Sequence, residues 1–412
     1  MDSSALRSSA RALPRGLVAT FAVACGLTVG NIYYAQPLLA TLADAFGTSE
    51  AAAGFIVTIT QIGYAVGLLI LVPLGDLVEN RRLVVTLSVG TVLALLIASA
   101  APSLAVFFVA SLGIGVTSVV AQVLVPFAAN LAPPEMRGRI VGQVMSGLLL
   151  GILLARAMAG ILAGVLGWRA VYLISAVLLV AMIFILRRIL PIRRPTFAKG
   201  YCALVTSLVK IYRKEPLLRR RAAYQAAMFG SFSAFWTSVT FLLSGPQFHL
   251  SQAGIGVFSL VGAMGALVAP VAGQLGDAGY ERPVTGMAFL VATAGFVLTL
   301  GRANLWMLAA GAILIDLAAQ TTLVLGQQVI YGLNPAERSR LNTLYIATFF
   351  VGGAMCSAVA GIAYARAGWP AVVAFGAVLP IAAFVFWLGD RRKDAAAPRR
   401  NREEKLKLKM NS

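Results

Sequence analysis

Acidic residues and histidine are scarce in this chain. Of its 412 residues only 15 are Asp or Glu, and His249 is the single histidine. Hydrolytic metal centres need clustered histidine and carboxylate ligands, and an aspartyl protease needs two carboxyl groups side by side. We therefore expect neither a metal site nor an enzyme of these kinds.

Cysteine is also scarce. Cys25, Cys202 and Cys356 are the only three, an odd number without the spacing of metal ligands. Two of them lie inside apolar runs, so a disulfide framework is not expected. The sequence suggests no cofactor.

Charge is low overall, whereas apolar residues are abundant. Charged residues make up 12% of the chain and hydrophobic residues 59%. A helix needs about 20 mostly apolar residues to cross a bilayer, because lipid cannot satisfy backbone amides. Such runs recur throughout, and the first, which begins near residue 16, is too long for the core of a signal peptide. The composition therefore predicts a membrane protein.

Twelve apolar runs are long enough to be spans, which we number 1 to 12. They cover residues 16–40, 51–74, 83–101, 104–130, 140–165, 169–189, 222–245, 253–275, 284–301, 305–331, 341–365 and 369–389. An even number of spans puts both termini on the same side of the membrane.

Basic residues are distributed very unevenly between the two sides. With the N-terminus in the cytoplasm, 30 of the 34 lysines and arginines fall in cytoplasmic segments, and three (Arg169, Arg302, Arg366) face the other side. This is the positive-inside pattern, so the net charge of +19 is explained by orientation and contact with anionic lipid, not by nucleic acid. We expect a bacterial inner-membrane protein with a cytoplasmic N-tail (1–15), a six-helix bundle (16–189), a basic linker (190–221), a second bundle (222–389) and a cytoplasmic C-tail (390–412).

The second half of the chain repeats the first. The word Leu-Gly-Asp ending at Asp76 recurs at Asp277, and the pair Arg137 and Arg139 recurs as Arg338 and Arg340, in every case 201 residues later. Because each copy holds an even number of spans, both copies have the same orientation and are related by an axis along the membrane normal.

These loops resemble those of the major facilitator superfamily over nearly the whole chain. The segment 75–82, which contains Asp76, Arg81 and Arg82, is similar to that family's acidic-then-basic loop motif, and the second copy has Asp277 and Arg282. The resemblance implies an all-α fold of two six-helix bundles related by a pseudo-twofold axis. It also implies a conformational lock, that is, contacts among these residues that form in one state of the transporter and break in the other. The arginines at 137, 139, 338 and 340 belong to the same lock. A solvated loop that only sets topology is the alternative.

Span 5 is similar to the glycine-rich motif of the antiporter branch. Small residues at Gly142, Gly151, Ala155, Ala159 and Gly160 line one helical face. Together with the segment 31–37, this narrows the resemblance to bacterial drug and sugar efflux permeases and implies export. The alternative is that these small residues only allow tight helix packing and say nothing about the direction of transport.

Asp316 is the one acidic residue in the middle of a span. Gln320 and Gln327 follow on the same face of span 10, and Arg156 is the only basic residue at comparable depth. Burial and a nearby cation act on a carboxyl group in opposite directions, so protonation of Asp316 could respond to substrate. We hypothesise that Asp316 carries a coupling proton and that Arg156 is its counter-charge or binds an anionic substrate; a structural polar pair is the alternative.

In the superfamily, spans 1, 4, 7 and 10 line the cavity, which favours Asn31, Tyr34, Gln122 and Trp236 as further site residues. Gln61, Tyr64, Asn342 and Tyr345 are candidates too, and each of these residues could instead form an interhelical hydrogen bond. We therefore expect a monomeric secondary transporter that exports a small molecule in exchange for protons. The alternative is uptake of a sugar or organic acid by proton symport.

Overall fold

The structure is a computed structural model that describes residues 15–133, 136–192, 200–301, 304–334 and 337–394. The predicted N-tail up to residue 14, and the C-tail beyond residue 394, lie outside the described residues, as do Arg302 and part of the predicted linker. The residues that are described form helices joined by short turns, with no strand among them.

The first half contains spans 1 to 6, and most of their ends fall close to the predicted boundaries. Span 1 is broken into two helices around residues 31–34, and span 4 is broken at Ser118 and Val119. The helices of this half are Arg15–Gly30, Ala35–Phe46, Glu50–Ile70, Asn80–Ala100, Leu104–Thr117, Val120–Leu131, Arg137–Leu166 and Trp168–Ile189.

The second half contains spans 7 to 12. Span 8 is interrupted between Ser259 and Ala269, which a continuous apolar run did not predict. Spans 11 and 12 form one helical stretch with a bend at Gly368, whose φ of 66° lies in the region that glycine favours. The helices are Pro216–Ser244, Gln252–Ser259, Ala263–Ala266, Ala269–Asp277, Glu281–Leu298, Leu305–Tyr331 and Arg338–Asp394.

Nine helical stretches in the described part of the chain are long and apolar enough to cross a membrane by length and composition. One of these stretches contains both span 11 and span 12. The broken span 8 and the 18-residue helix of span 9 complete the set of twelve predicted segments. Their outward faces carry apolar side chains such as Val109, Val165, Val177 and Met287, as lipid contact requires.

The predicted linker is more structured than expected. An amphipathic helix, Tyr201–Lys214, buries Leu204, Leu208 and Ile211 on one face. These residues follow one another at intervals of four and three, the pattern of an amphipathic helix, which the sequence analysis did not predict here. The helix of span 7 begins at Pro216, inside the predicted linker, and the last helix extends beyond residue 389 to Asp394.

Helix pairing repeats between the two halves. Within the first half span 1 packs on span 5, span 2 on span 4 and span 3 on span 6; the second half pairs 7 with 11, 8 with 10 and 9 with 12. Between the halves, span 2 packs on span 11 and span 5 on span 8, two contacts that a twofold rotation exchanges. The fold is two six-helix bundles related by a pseudo-twofold axis.

Candidate functional site

A cavity of about 850 Å³ lies between the two bundles. We call the end of the molecule that carries Asp76, Arg137 and Arg338 the linker end, and the opposite end the far end. Exposed Arg137 and Arg338 lie at the cavity's linker-end margin, whereas buried Arg156 and Asp316 lie at its inner wall. The cavity therefore opens at the linker end.

Trp236 lies between the two buried charges, although it is not itself one of the residues that line the cavity. Its indole Nε1 donates a hydrogen bond to Asp316 Oδ1 at 2.8 Å, and its ring centroid lies 4.4 Å from the guanidinium carbon of Arg156. Within the described residues, no ion pair within 4 Å joins Arg156 to Asp316. The predicted counter-charge relation is therefore indirect, with a tryptophan from span 7 contacting both partners.

Arg156 is enclosed by aromatic rings. Besides Trp236, the rings of Phe232 and Tyr33 lie 5.2 Å and 5.5 Å from its guanidinium carbon. The side chain is 5% exposed, and its Nε and Nη1 have no hydrogen-bond partner among the described residues. A cation held by π-faces keeps its N–H edges available for an acceptor.

The break in span 8 allows its backbone to lie directly against Asp316. A Cβ on Gly262 would lie 2.8 Å from the Trp236 ring, and one on Gly265 would lie 2.5 Å from the Cβ of Asp316. Only glycine permits this approach. These two glycines are site residues that the sequence analysis missed, although two glycines separated by two residues inside an apolar run were a possible signal.

The polar residues of span 10 lie together along the cavity, since Asp316, Gln320 and Gln327 all contribute to its wall. Gln327 Nε2 donates to Asn342 of span 11 at 3.2 Å. Across the cavity, Gln122 Nε2 donates to the hydroxyl of Tyr64 at 3.3 Å, and both residues line it. Spans 2, 5, 8 and 11 contribute to the wall in addition to the four spans expected from the family resemblance.

The prediction for span 1 placed the wrong residues at the cavity. Ser175 of span 6 donates to Asn31 Oδ1 at 2.7 Å, and its Oγ lies 3.3 Å from the hydroxyl of Tyr34, so both side chains face the interior of the first bundle. Tyr33 lines the cavity instead. Val29 and Tyr33, four residues apart on one helical face, both line the cavity, so span 1 presents to it a different face from the one predicted.

Two other candidates also lie away from the cavity wall. Gln61 Nε2 donates to Ser233 Oγ of span 7 at 2.9 Å, a bond between the two bundles. The hydroxyl of Tyr345 lies 3.4 Å from the carbonyl oxygen of Thr322 on span 10. Both residues thus form the interhelical contacts that were the alternative interpretation.

The far end of the molecule is closed by contacts between the bundles. The hydroxyls of Thr58 and Ser357 lie 2.8 Å apart, and Thr240 donates to the carbonyl oxygen of Gln36 at 2.9 Å. Spans 5 and 8 approach so closely there that a Cβ on Gly160 would lie 2.5 Å from the Cα of Gly256. The structure is therefore open at one end of the cavity and closed at the other.

Comparison with known proteins agrees with this geometry. The family model described as Major Facilitator Superfamily matches residues 17–300 and, in an overlapping match, residues 227–410. The chain belongs to the major facilitator superfamily. Members of this superfamily are transporters, so the protein is a transporter and not an enzyme, as predicted.

Relatives within the superfamily extend over most of the chain. The Escherichia coli (strain K12) transporter YgaY is 41% identical over 386 residues, which are 93% of this chain and 98% of that one. The Streptomyces coelicolor transporter SCO4007 is 35% identical over 86% of this chain and 82% of its own length.

Solved structures of superfamily transporters share the fold. The nucleoside transporter NupG superposes with a TM-score of 0.75 at 13% identity, covering 90% of this chain and 99% of its own. A bacterial homologue of the human lysosomal transporter Spinster, in an inward-facing and occupied conformation, superposes with a TM-score of 0.74 at 14% identity, covering 92% and 96%. At these identities the likeness establishes the major facilitator fold alone.

The superfamily's loop motif is located at the linker end. Asp76 is exposed at the end of a 3-10 turn, Val72–Asp76, and no ion pair joins it to Arg81 or Arg82 in the part of the chain that the structure describes. The basic residue whose charge acts on it is Arg340, from the second bundle. Gln328 Nε2 donates to Asp277 Oδ1 at 3.2 Å in the second copy.

The remaining arginines assigned to the lock begin spans 5 and 11. Arg137 Nε donates to the carbonyl oxygen of Ala129, and Arg338 Nε donates to that of Tyr331, each at 2.9 Å. Arg340 donates to Ser207 of the linker helix at 3.2 Å. Arg139 is exposed and Arg282 is half-buried.

Proposed function

We propose that this superfamily member exports a small organic solute in exchange for protons by alternating access. The observation that carries the proposal is the buried carboxyl group of Asp316 in the wall of the cavity, hydrogen-bonded to Trp236. A carboxylate at mid-membrane depth is costly unless it is protonated, paired or hydrated, so such a residue is a natural proton site. Opening the cavity to alternate sides would expose this group to each compartment in turn.

Orientation and state follow from the distribution of charge. The linker end carries most of the basic residues, so we assign it to the cytoplasm, and both termini with it, in the bacterial inner membrane. The conformation described here is then open to the cytoplasm. The absence of an ion pair between Asp76 and the arginines of its loop, within the described residues, agrees with a lock that is broken in this state. We expect a monomer surrounded by lipid.

The packing of the glycines of span 5 supports export. Its Gly147 packs on Ala22 of span 1, where an added Cβ would lie 2.5 Å from the Ala22 carbonyl oxygen. Its Gly160 packs on span 8 of the other bundle, at the closed far end. Two faces of one helix thus stabilise the first bundle and the far-end seal, which supports the role expected of the antiporter-type motif that this span resembles.

Proton-coupled uptake is the second candidate, and Arg156 is the observation that favours it. An anion bound at Arg156 would take up the positive charge that otherwise stabilises the carboxylate of Asp316. Anion binding would then favour proton binding, and two ligands that favour each other move together. Exchange instead requires that solute and proton exclude each other.

Reconstituted protein with an acidic lumen distinguishes the two directions. Export predicts that the proton gradient drives solute against the proton flow, whereas symport predicts movement with it. In Asp316→Asn, transport should lose its response to the gradient, because the amide cannot release a proton. Asp44→Asn, an isosteric change at an exposed far-end carboxylate, should keep the response. A gradient response that survives in Asp316→Asn would remove Asp316 from the coupling.

A further inference from the structure

The described wall of the cavity carries more positive than negative charge. Its basic residues are Arg137, Arg156 and Arg338, and its one acidic residue among those described is Asp316. Two of the arginines lie at the open linker end and the third lies at the bottom. A cleft that is lined by one sign of charge between low-dielectric walls concentrates solutes of the opposite sign.

Arg156 at the bottom of this cleft has Asp316 as a counter-charge only indirectly, across the ring of Trp236. Asp316 accepts the indole hydrogen bond of Trp236 and makes no ion pair within 4 Å among the described residues. Burial of a guanidinium is costly unless acceptors satisfy it, yet the Nε and Nη1 of Arg156 have none in the described part of the chain. Each of these two nitrogens forms a donor edge with Nη2, and such an edge matches the two oxygens of a carboxylate.

One side of the wall is apolar and aromatic. Four phenylalanines from spans 7 and 11 line the cavity on one side: Phe229, Phe232, Phe349 and Phe350. Their ring centroids lie 4.8 to 5.4 Å apart in consecutive pairs, forming a continuous aromatic surface. A cavity of 850 Å³ is in the range that holds a drug-sized molecule.

We propose that the cavity binds an amphipathic organic anion, with its carboxylate hydrogen-bonded to the guanidinium of Arg156 and its apolar body against the phenylalanine wall. The proposal rests on the proposed function, since it takes this cavity to be the substrate path. It assigns a substrate class, and because an anion on Arg156 would favour proton binding at Asp316, confirming it would favour the uptake alternative over exchange.

The test is a binding measurement on purified full-length protein in lipid nanodiscs, near neutral pH. Three probes share one ring system and differ in charge: 2-naphthoate, 2-naphthamide and 2-naphthylmethylammonium. Affinities come from calorimetry, and ligand-induced thermal stabilisation serves as a second readout. We expect naphthoate to bind about 10- to 100-fold more tightly than naphthamide, the factor associated with hydrogen bonds to a charged group.

Arginine variants separate the carboxylate contact from general effects. Arg156→Gln should reduce the affinity for naphthoate to that for naphthamide, and Arg156→Lys should give an intermediate value because charge remains but the paired edge is lost. The matched control is Arg169→Gln, since the Arg169 guanidinium lies 4.2 Å from the ring centroid of Trp168, outside the cavity. That variant should keep the wild-type ratio between the two probes.

Several results would overturn the assignment: equal or tighter binding of the amide or the ammonium probe, no binding of any of the three, or undiminished naphthoate affinity in Arg156→Gln. If Arg156→Gln does not fold, the wild-type probe series and Arg156→Lys still decide. Proton-coupled transport with a preference for the cationic probe would reject the anion class and keep the proposed function. Naphthoate binding without any proton-dependent transport would keep the anion class and reject the proposed function.

Discussion

Replacing Trp236 with phenylalanine would remove one hydrogen bond at the centre of the site and keep most of the aromatic volume. In the wild type the indole N–H lies 2.8 Å from Asp316 Oδ1, and the ring lies beneath the Arg156 guanidinium. The bond stabilises the carboxylate relative to the carboxylic acid, because the indole can donate but cannot accept. Without it, Asp316 should bind a proton more tightly.

The size of this effect follows from the burial of the pair. Hydrogen bonds to charged groups contribute about 1.5 to 3 kcal/mol. Since about 1.36 kcal/mol corresponds to one pH unit, the midpoint of Asp316 protonation should rise by about 1 to 2 pH units in Trp236→Phe. The variant transporter should then keep Asp316 protonated up to a higher pH than the wild type does.

Infrared difference spectroscopy measures this midpoint without a known substrate. The carbonyl stretch of a protonated carboxylic acid is followed against pH, and the part of the signal that is absent in Asp316→Asn is assigned to Asp316. The control is Trp369→Phe, because Trp369 is equally buried but donates to the backbone carbonyl of Thr299 at 2.9 Å. A midpoint in Trp236→Phe that equals the wild type, or lies below it, would refute the reasoning.

Two further predictions concern conformational state and topology. Gly160→Leu should destabilise the closed far end by about 1 to 3 kcal/mol, because the larger side chain overpacks against span 8, and the distance between spin labels on the far ends of spans 5 and 8 should increase. Gly142→Leu, on the same helix but with nothing within 4 Å of its added Cβ, should leave that distance unchanged, and equal distances in the two variants would contradict the packing role of Gly160. Cys202 is exposed on the linker helix, whereas Cys25 is buried. A membrane-impermeant maleimide should therefore label the protein in inverted vesicles and not in intact spheroplasts, and Cys202→Ser should abolish the labelling. Labelling in spheroplasts would reverse the assigned orientation.

The structural repeat is least exact where the candidate site lies. The displacement of 201 residues relates Asp316 to Gly115, and Arg156 to Ser357. Gly115 serves close packing of span 4 on span 2, where an added Cβ would lie 2.9 Å from the Tyr64 nitrogen, and Ser357 hydrogen-bonds to Thr58. Each ionisable residue thus has a counterpart that carries no charge. A shared cavity needs one proton site and one cation, not two of each.

The sequence alone determined the class of protein, the twelve segments, the duplication and the depth of Asp316 and Arg156. These follow from chain length against bilayer thickness and from the cost of charge in lipid, both of which act along the chain and do not depend on tertiary contacts. The linker helix was also legible, in the spacing of Leu204, Leu208 and Ile211, although it was not recognised.

Tertiary structure decided which side chains meet. The polar residues Asn31 and Tyr34 were expected at the cavity, but the packing of span 1 turns them towards Ser175 of span 6 and presents Val29 and Tyr33 to the cavity. No local pattern could show that Trp236 would contact both charges, or that the broken span 8 would lie on Asp316 through two glycines. Such contacts join residues 51 to 80 positions apart in different helices, and their geometry is fixed by how the two bundles pack, which depends on shape across the whole interface.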